Sequence, residues 1–61
     1  MNLEINIDLD NAAFEENPVP ELDRVLTRFI NDIRTYGNLG DSGTFRDING
    51  NIVGHYDVSE I

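Results

Sequence analysis

The chain has 61 residues, which allows one domain near the size at which a single hydrophobic core only just suffices. It has no cysteine, so disulfides and thiolate metal sites are excluded as sources of stability and nothing marks an oxidising compartment. Twelve acidic residues against four basic ones, all arginine, give a formal charge of -8, which disfavours nucleic acid and anionic membranes as partners and favours basic proteins.

No basic region followed by an apolar run stands at the N-terminus. No apolar stretch nears the roughly eighteen residues needed to span a bilayer. The expectation is a soluble, cytoplasmic protein whose acidity serves either solubility or a basic partner.

The chain opens with strict alternation over residues 2–9: Leu3, Ile5, Ile7 and Leu9 on one parity, and Asn2, Glu4, Asn6 and Asp8 on the other. This is the period of a half-buried strand, with one core face and one polar face that carries no basic group. The segment LDNAAFEENPVPEL then breaks the alternation. Asn11 and Asn17 form turns, while Pro18 and Pro20 resist both ladder pairing and a helix interior.

Pro20 suits a first helical turn, where Glu21 and Asp23 favour the positive end of the helix dipole. Leu22, Val25, Leu26, Phe29, Ile30, Ile33 and Tyr36 then recur at helical spacing, and Gly37 stands where a left-handed C-cap is expected. The spacing predicts an amphipathic helix over 20–36.

The remaining segment holds a glycine-rich loop and then a hairpin over 43–58 around Asn49-Gly50, a strong turn signal. A two-residue Asn-Gly loop, or a four-residue loop centred on it, puts Phe45, Ile52, Tyr56 and Val58 on one face. A three-residue loop ending in Gly50 shifts the register by one. The hydrophobic pattern favours the first arrangement.

The expected fold is α+β: a single β-α-β-β domain with a three-stranded antiparallel sheet and one amphipathic helix packed on one face. A strand order of 1-3-2 follows if the helix returns the chain to its starting end, although parallel pairing of the first two strands fits the same pattern. Leu3, Ile5, Ile7, Phe45, Ile52, Tyr56 and Val58 are expected to meet Leu22, Val25, Leu26, Phe29, Ile30 and Ile33 in the core.

The charge is segregated. Within 20–36, Glu21, Asp23 and Asp32 cancel Arg24, Arg28 and Arg34, so the whole excess lies elsewhere, opposed only by Arg46. With the helix over one sheet face, Glu4, Asp8, Asp57, His55 and Arg46 are expected on the open one, and Asp10, Glu15, Glu16, Asp41 and Asp47 at its rims. Same-face residues of a strand lie about 6.6–6.8 Å apart, a spacing comparable to that of neighbouring phosphates. Since arginine forks pair with carboxylates much as with phosphates, a DNA-binding groove is a plausible target.

Catalytic and metal constellations fail on spacing. Counted from Asp8, the fifth and sixth positions of a calcium loop fall on Ala12 and Ala13; counted from Asp47, the sixth falls on Ile52, where glycine is required. His55 is the only histidine, too little for a transition-metal site or for a base beside Ser42, Thr44 or Ser59. The stretch GNLGDSG lacks the lysine and the strand-to-helix context of a phosphate loop. The expectation is no catalytic residue, no metal and no cofactor.

INIDLDNAAFEENP, an amphipathic helix and GDSGTFRDINGNIVGHYDV together resemble small proteins encoded by phages and prophages, in which elements like DLDNAAF and RDxNGNxVG recur. The likeness spans nearly the whole chain. The small acidic βαββ type is also similar to the anti-CRISPR proteins, most specifically those that inhibit the type I-C surveillance complex. The resemblance implies an inhibitor that blocks target-DNA binding by occupying the basic surface that grips the duplex. It brings no binding residues with it: Asn11 and Asn49-Gly50 read as turns, and Phe14 and Phe45 as core.

The expected function is therefore a phage-encoded inhibitor, acting by acidic DNA mimicry on a DNA-binding subunit of a type I complex in the bacterial cytoplasm. The expected contacts are Glu4, Asp8, Asp10, Glu15, Glu16, Asp47 and Asp57, with Asn6 and His55 as hydrogen-bonding neighbours. A monomer is expected, with a homodimer as the alternative state. Two other functions share the pattern: a phage structural or assembly protein that self-associates through a strand edge, and an antitoxin-like inhibitor of a basic nuclease.

Overall fold

A computed structural model describes residues 1–60. Strand β1 (Asn2–Ile7) leads through a 3-10 turn (Ala12–Phe14) to helix α1 (Pro18–Tyr36), followed by strands β2 (Ser42–Arg46) and β3 (Ile52–Ser59). The sheet order is β1-β3-β2 with both pairings antiparallel, so the α+β class and the 1-3-2 order read from the sequence are both observed.

The boundaries move where local chemistry is strong. β1 ends at Ile7 rather than at residue 9, because Asp8 Oδ1 accepts the Asp10 N–H at 2.9 Å and turns the chain. The side chain of Asn11 then caps the 3-10 turn by accepting from Ala13 N–H at 2.9 Å. Helix α1 begins at Pro18 rather than at Pro20. Asn17 is its N-cap, accepting from Val19 N–H, and proline is suited to a first turn that has no intrahelical acceptor for its N–H. At the other end Gly37, at φ 73°, closes the helix by donating to Ile33 O at 2.9 Å.

The hairpin corrects the expected register. Asp47 N–H donates to Asn51 O at 2.8 Å and Gly50 N–H to Asp47 O at 3.0 Å, so the loop is the three-residue one, with Gly50 at φ 86°. That loop alone would put Phe45 and Tyr56 on opposite faces. A β-bulge repairs the mismatch: Arg46 pairs with Ile52 but Phe45 pairs with Gly54, leaving Val53 as the extra residue. Phe45 and Tyr56 thus share the inner face as expected, but Val53, at 4% exposure, takes the core place assigned to Ile52, which is 58% exposed.

The core is Phe14, Val25, Phe29, Phe45 and Val53, flanked by Ile7, Leu22, Ile33, Leu39 and Tyr56. Phe29 stands edge-on to Phe45 with centroids 5.3 Å apart and lies 4.8 Å from the Tyr56 ring, so the aromatic contacts join α1 to β2 and β3. Three residues expected in the core are instead partly open: Leu3 (42%), Ile5 (43%) and Ile30 (45%). Their position follows from where the helix lies. Arg28 and Asp32 line a cleft against β2, so Leu26 and Ile30, on the opposite flank of α1, face the β1 side without covering it.

Candidate functional site

The sheet face away from α1 is exposed throughout. Cross-strand pairing sets Glu4 opposite Asp57 and Asp57 opposite Ser42, and in the next row Asn6 opposite His55 and His55 opposite Thr44. All six are exposed. Two carboxylates directly across a ladder repel, whereas a basic group at one of the two positions would attract. Among the described residues no arginine pairs with either carboxylate; His55 Nε2 is 3.9 Å from Asp57 Oδ2, with both side chains 61% exposed.

Further carboxylates lie beyond both ends of the strands. Asp41 O accepts from Val58 N–H at 2.8 Å, so Asp41 lies one residue before Ser42 and on the parity of Val58, and Glu60 follows the end of β3. At the opposite end Asp8 and Asp10 share their turn, and Glu15 and Glu16 follow the 3-10 turn. All eight of these carboxylates are exposed. Of the expected contacts, then, Glu4 and Asp57 meet at the centre, whereas Asp8, Asp10, Glu15 and Glu16 form a second group beyond the other end of the strands. Asp41 and Glu60 were not among the expected contacts. The signal for them was the 1-3-2 order, which brings the start of β2 against the end of β3.

Asp47 does not belong to this surface. It was expected as an anionic contact at the rim, but it is 4% exposed and its carboxylate is spent inside the hairpin. Oδ1 accepts from Asn49 N–H at 2.9 Å and Asn51 N–H at 2.8 Å, and Oδ2 accepts from Asn51 Nδ2 at 3.2 Å. Burial pushes its pKa up, but these hydrogen bonds and the charge of Arg24 outweigh it, and the group stays below the ordinary carboxylate value.

Beside it, Glu21 is also buried, at 9%. Its Oε1 is paired with Arg24 Nε and its Oε2 accepts from Ile48 N–H at 2.9 Å. Arg24 Nη2 donates on to Arg46 O at 3.2 Å, and Arg46 Nη1 to Gly50 O at 2.8 Å. The Arg24 hydrogen bond holds the Glu21 carboxyl below its usual range, and the same bond raises the Arg24 guanidinium. This network joins helix and hairpin, and sequence reading missed it because Glu21 in a first helical turn has an ordinary explanation in the helix dipole. With Glu21 and Arg24 paired internally, the remaining acids and bases of α1 are Asp23, Asp32, Arg28 and Arg34, which cancel, while the eight exposed carboxylates lie outside the helix.

A cleft of about 580 Å³ opens between α1 and β2, with one carboxylate, Asp32, and no histidine in its wall. Among the described residues no group of three or more potential metal ligands converges, and no helix is long and apolar enough to cross a membrane. No protein-family model, curated protein or solved structure matches the chain. Its function has to be argued from these residues.

Proposed function

We propose that the protein is a phage-encoded inhibitor of a bacterial defence complex, acting in the host cytoplasm by laying its acidic sheet face on a basic DNA-binding surface and excluding target DNA. The observation that carries this reading is the Glu4–Asp57 pair, two exposed carboxylates opposed across the ladder and left without a lysine or arginine partner. An arrangement that costs the fold stability is retained when a partner supplies the missing cations. The partner we propose, from the resemblance to anti-CRISPR proteins, is a DNA-binding subunit of a type I complex, with type I-C as the first case.

The dimensions suit such a role. The principal extents are 36 × 24 × 17 Å, and one turn of duplex DNA measures about 34–36 Å. From Glu4 to Asp8 the strand advances about 13 Å in two same-face steps, so these two carboxylates sit at separated points along one face, as phosphates do along a strand. The inhibitor needs no chemistry, only complementarity and steering, which is what an excess of one sign supplies.

The test is competition. A purified type I-C surveillance complex and a labelled target duplex are titrated with the native protein and with a Glu4→Gln, Asp57→Asn variant at two salt concentrations. The native protein displaces the duplex. The variant is weaker by about 1–2 kcal/mol, roughly tenfold, and added salt narrows the gap between them. A folded native protein that leaves the duplex bound removes this target, and a variant as potent as the native chain removes the sheet face as the contact.

A further inference from the structure

β1 is an outer strand, and the pairing shows which of its backbone groups are unused. Asp8 N–H donates to Val53 O at 2.7 Å. Hydrogen-bonded pairs recur at every second residue of an antiparallel ladder, so with the observed register Asn6, Glu4 and Asn2 also bond to β3. The N–H and C=O groups of Leu3, Ile5 and Ile7 therefore point away from the sheet. Above them the inner face is the part that α1 leaves open, with Leu3 at 42%, Ile5 at 43% and Ile30 at 45% exposure. β1 also lacks the devices that blunt such edges: it has no proline, no lysine and no bulge in its register.

We infer that β1 pairs antiparallel with β1 of a second copy about a two-fold axis through Ile5, forming a continuous six-stranded sheet. The strand's own pattern selects the occupant and the register. Any two-fold pairing sets the free groups of Leu3, Ile5 and Ile7 against one another and keeps both inner faces on one side. Charge decides between the possible axes. An axis at Glu4 opposes Glu4 to itself, and an axis at Asn6 opposes Glu4 to Asp8. An axis at Ile5 opposes Glu4 to Asn6 and Asn2 to Asp8, so every carboxylate meets an amide, while Leu3 pairs with Ile7 and Ile5 with itself. This register also uses the whole strand.

A seam about 20 Å long and one strand spacing of about 4.8 Å wide covers far less than the roughly 1,000 Å² expected of a lasting interface, so the dimer is reversible and concentration-dependent. Each copy brings a charge of -8, which opposes association until salt screens it. Dimerisation joins two acidic outer faces into one, but it does not depend on the inhibitory role, and its test contains no defence complex.

Two measurements test the pairing. Sedimentation of the native protein from micromolar to millimolar concentration is expected to show a monomer giving way to a dimer, at lower concentration in high salt than in low. The chain has no cysteine, so single replacements on the exposed face report register without interference. In this register residue 4 lies about 4.5 Å in Cα distance from residue 6 of the other copy, within disulfide reach, whereas residues 4 and 4 lie about 7–8 Å apart. A mixture of Glu4→Cys and Asn6→Cys chains, each folded by circular dichroism, is expected to oxidise to the mixed dimer in preference to either like pair. Thr44→Cys, on the β2 edge, is expected to form no disulfide-linked dimer. A monomer at every concentration in high salt overturns the inference, as does cross-linking through Thr44→Cys or a majority of like pairs.

Discussion

Glu21 Oε2 accepts the backbone N–H of Ile48 at 2.9 Å, a contact between the first turn of α1 and the tip of the hairpin 27 positions away in sequence. It fixes how the helix sits on the sheet, because the same carboxylate holds Arg24, which reaches on to the end of β2. It also sets the acid limit of the fold. Glu21 and Asp47 both have folded pKa values below their ordinary values of 4.5 and 3.8. A carboxylate depressed on folding contributes stability that is complete above its unfolded value and is lost as pH falls through the folded one. The protein should hold a constant melting temperature from neutrality down to about those ordinary values and lose it steadily below them. Glu21→Gln and Asp47→Asn each lower the plateau and flatten the acid slope, which thermal melts across pH read directly. A slope unchanged in both variants would mean that other carboxylates set the limit.

Gly54 lies between β1 and β2 in the register, opposite both Ile7 and Phe45. A Cβ at this position would run into the carbonyl oxygen of Asn6 and stand 2.9 Å from Ile7 Cα, both backbone atoms that cannot turn aside. Gly43 is also crowded, but by the far end of the Tyr56 side chain, which can shift at the expense of its contact with Phe29 and its hydrogen bond to Leu39 O. Gly54→Ala should therefore cost more than Gly43→Ala, at or above the upper end of the roughly 1–3 kcal/mol typical of overpacking. For a chain of this length, whose total stability is of order 3–9 kcal/mol, that is a large fraction, visible as a lowered urea midpoint. Equal losses at the two glycines would contradict the close approach of β1 to β3.

The bulge gives a sharper contrast at adjacent positions. Val53 is 4% exposed and Ile52 58%, although Ile52 is the larger side chain. Val53→Ala removes buried methyl groups from the core and should cost about 2 kcal/mol, while Ile52→Ala should stay within about 0.5 kcal/mol of the native chain. Chemical denaturation of the two variants measures the difference. The reverse order would restore the register that the alternation alone suggests.

Most of the fold is written in periodicities that act locally. The alternation through Leu3, Ile5 and Ile7, the helical spacing from Leu22 to Ile33 and the Asn49-Gly50 turn are each read within a few residues, and together they leave few topologies. The parts that sequence reading misplaced depend on atoms far apart in the chain or on competition between two local rules. Gly50 demanded the three-residue loop and the apolar pattern demanded another register; the bulge at Val53 satisfies both, and neither demand points to it alone. Asp47 followed by Asn49 and Asn51 has the spacing of a self-bonded turn, a signal that outweighs its charge, yet an acid beside a hairpin reads equally well as a solvated rim. The exposed carboxylates Glu4 and Asp57 were placed on the open face from parity alone, but their direct opposition required the register with β3.

That opposition leads to a trade between stability and binding. Neutralising either member of the Glu4–Asp57 pair, by Glu4→Gln or Asp57→Asn, removes a repulsion of a few tenths of a kcal/mol in an exposed cross-strand pair and should raise the melting temperature slightly at low salt. The gain should fade as salt screens the pair. The double change should add little stability over either single one, because the first already abolishes the shared repulsion. On the proposed inhibitory role, displacement of duplex from the surveillance complex should move in the opposite direction, each replacement weakening inhibition while the fold becomes firmer. Melting curves and competition titrations on the same three variants decide the matter. If stability and inhibition fell together, the two carboxylates would be part of the scaffold, and the surface that meets the partner would lie with Asp8, Asp10, Glu15 and Glu16 at the other end of the sheet.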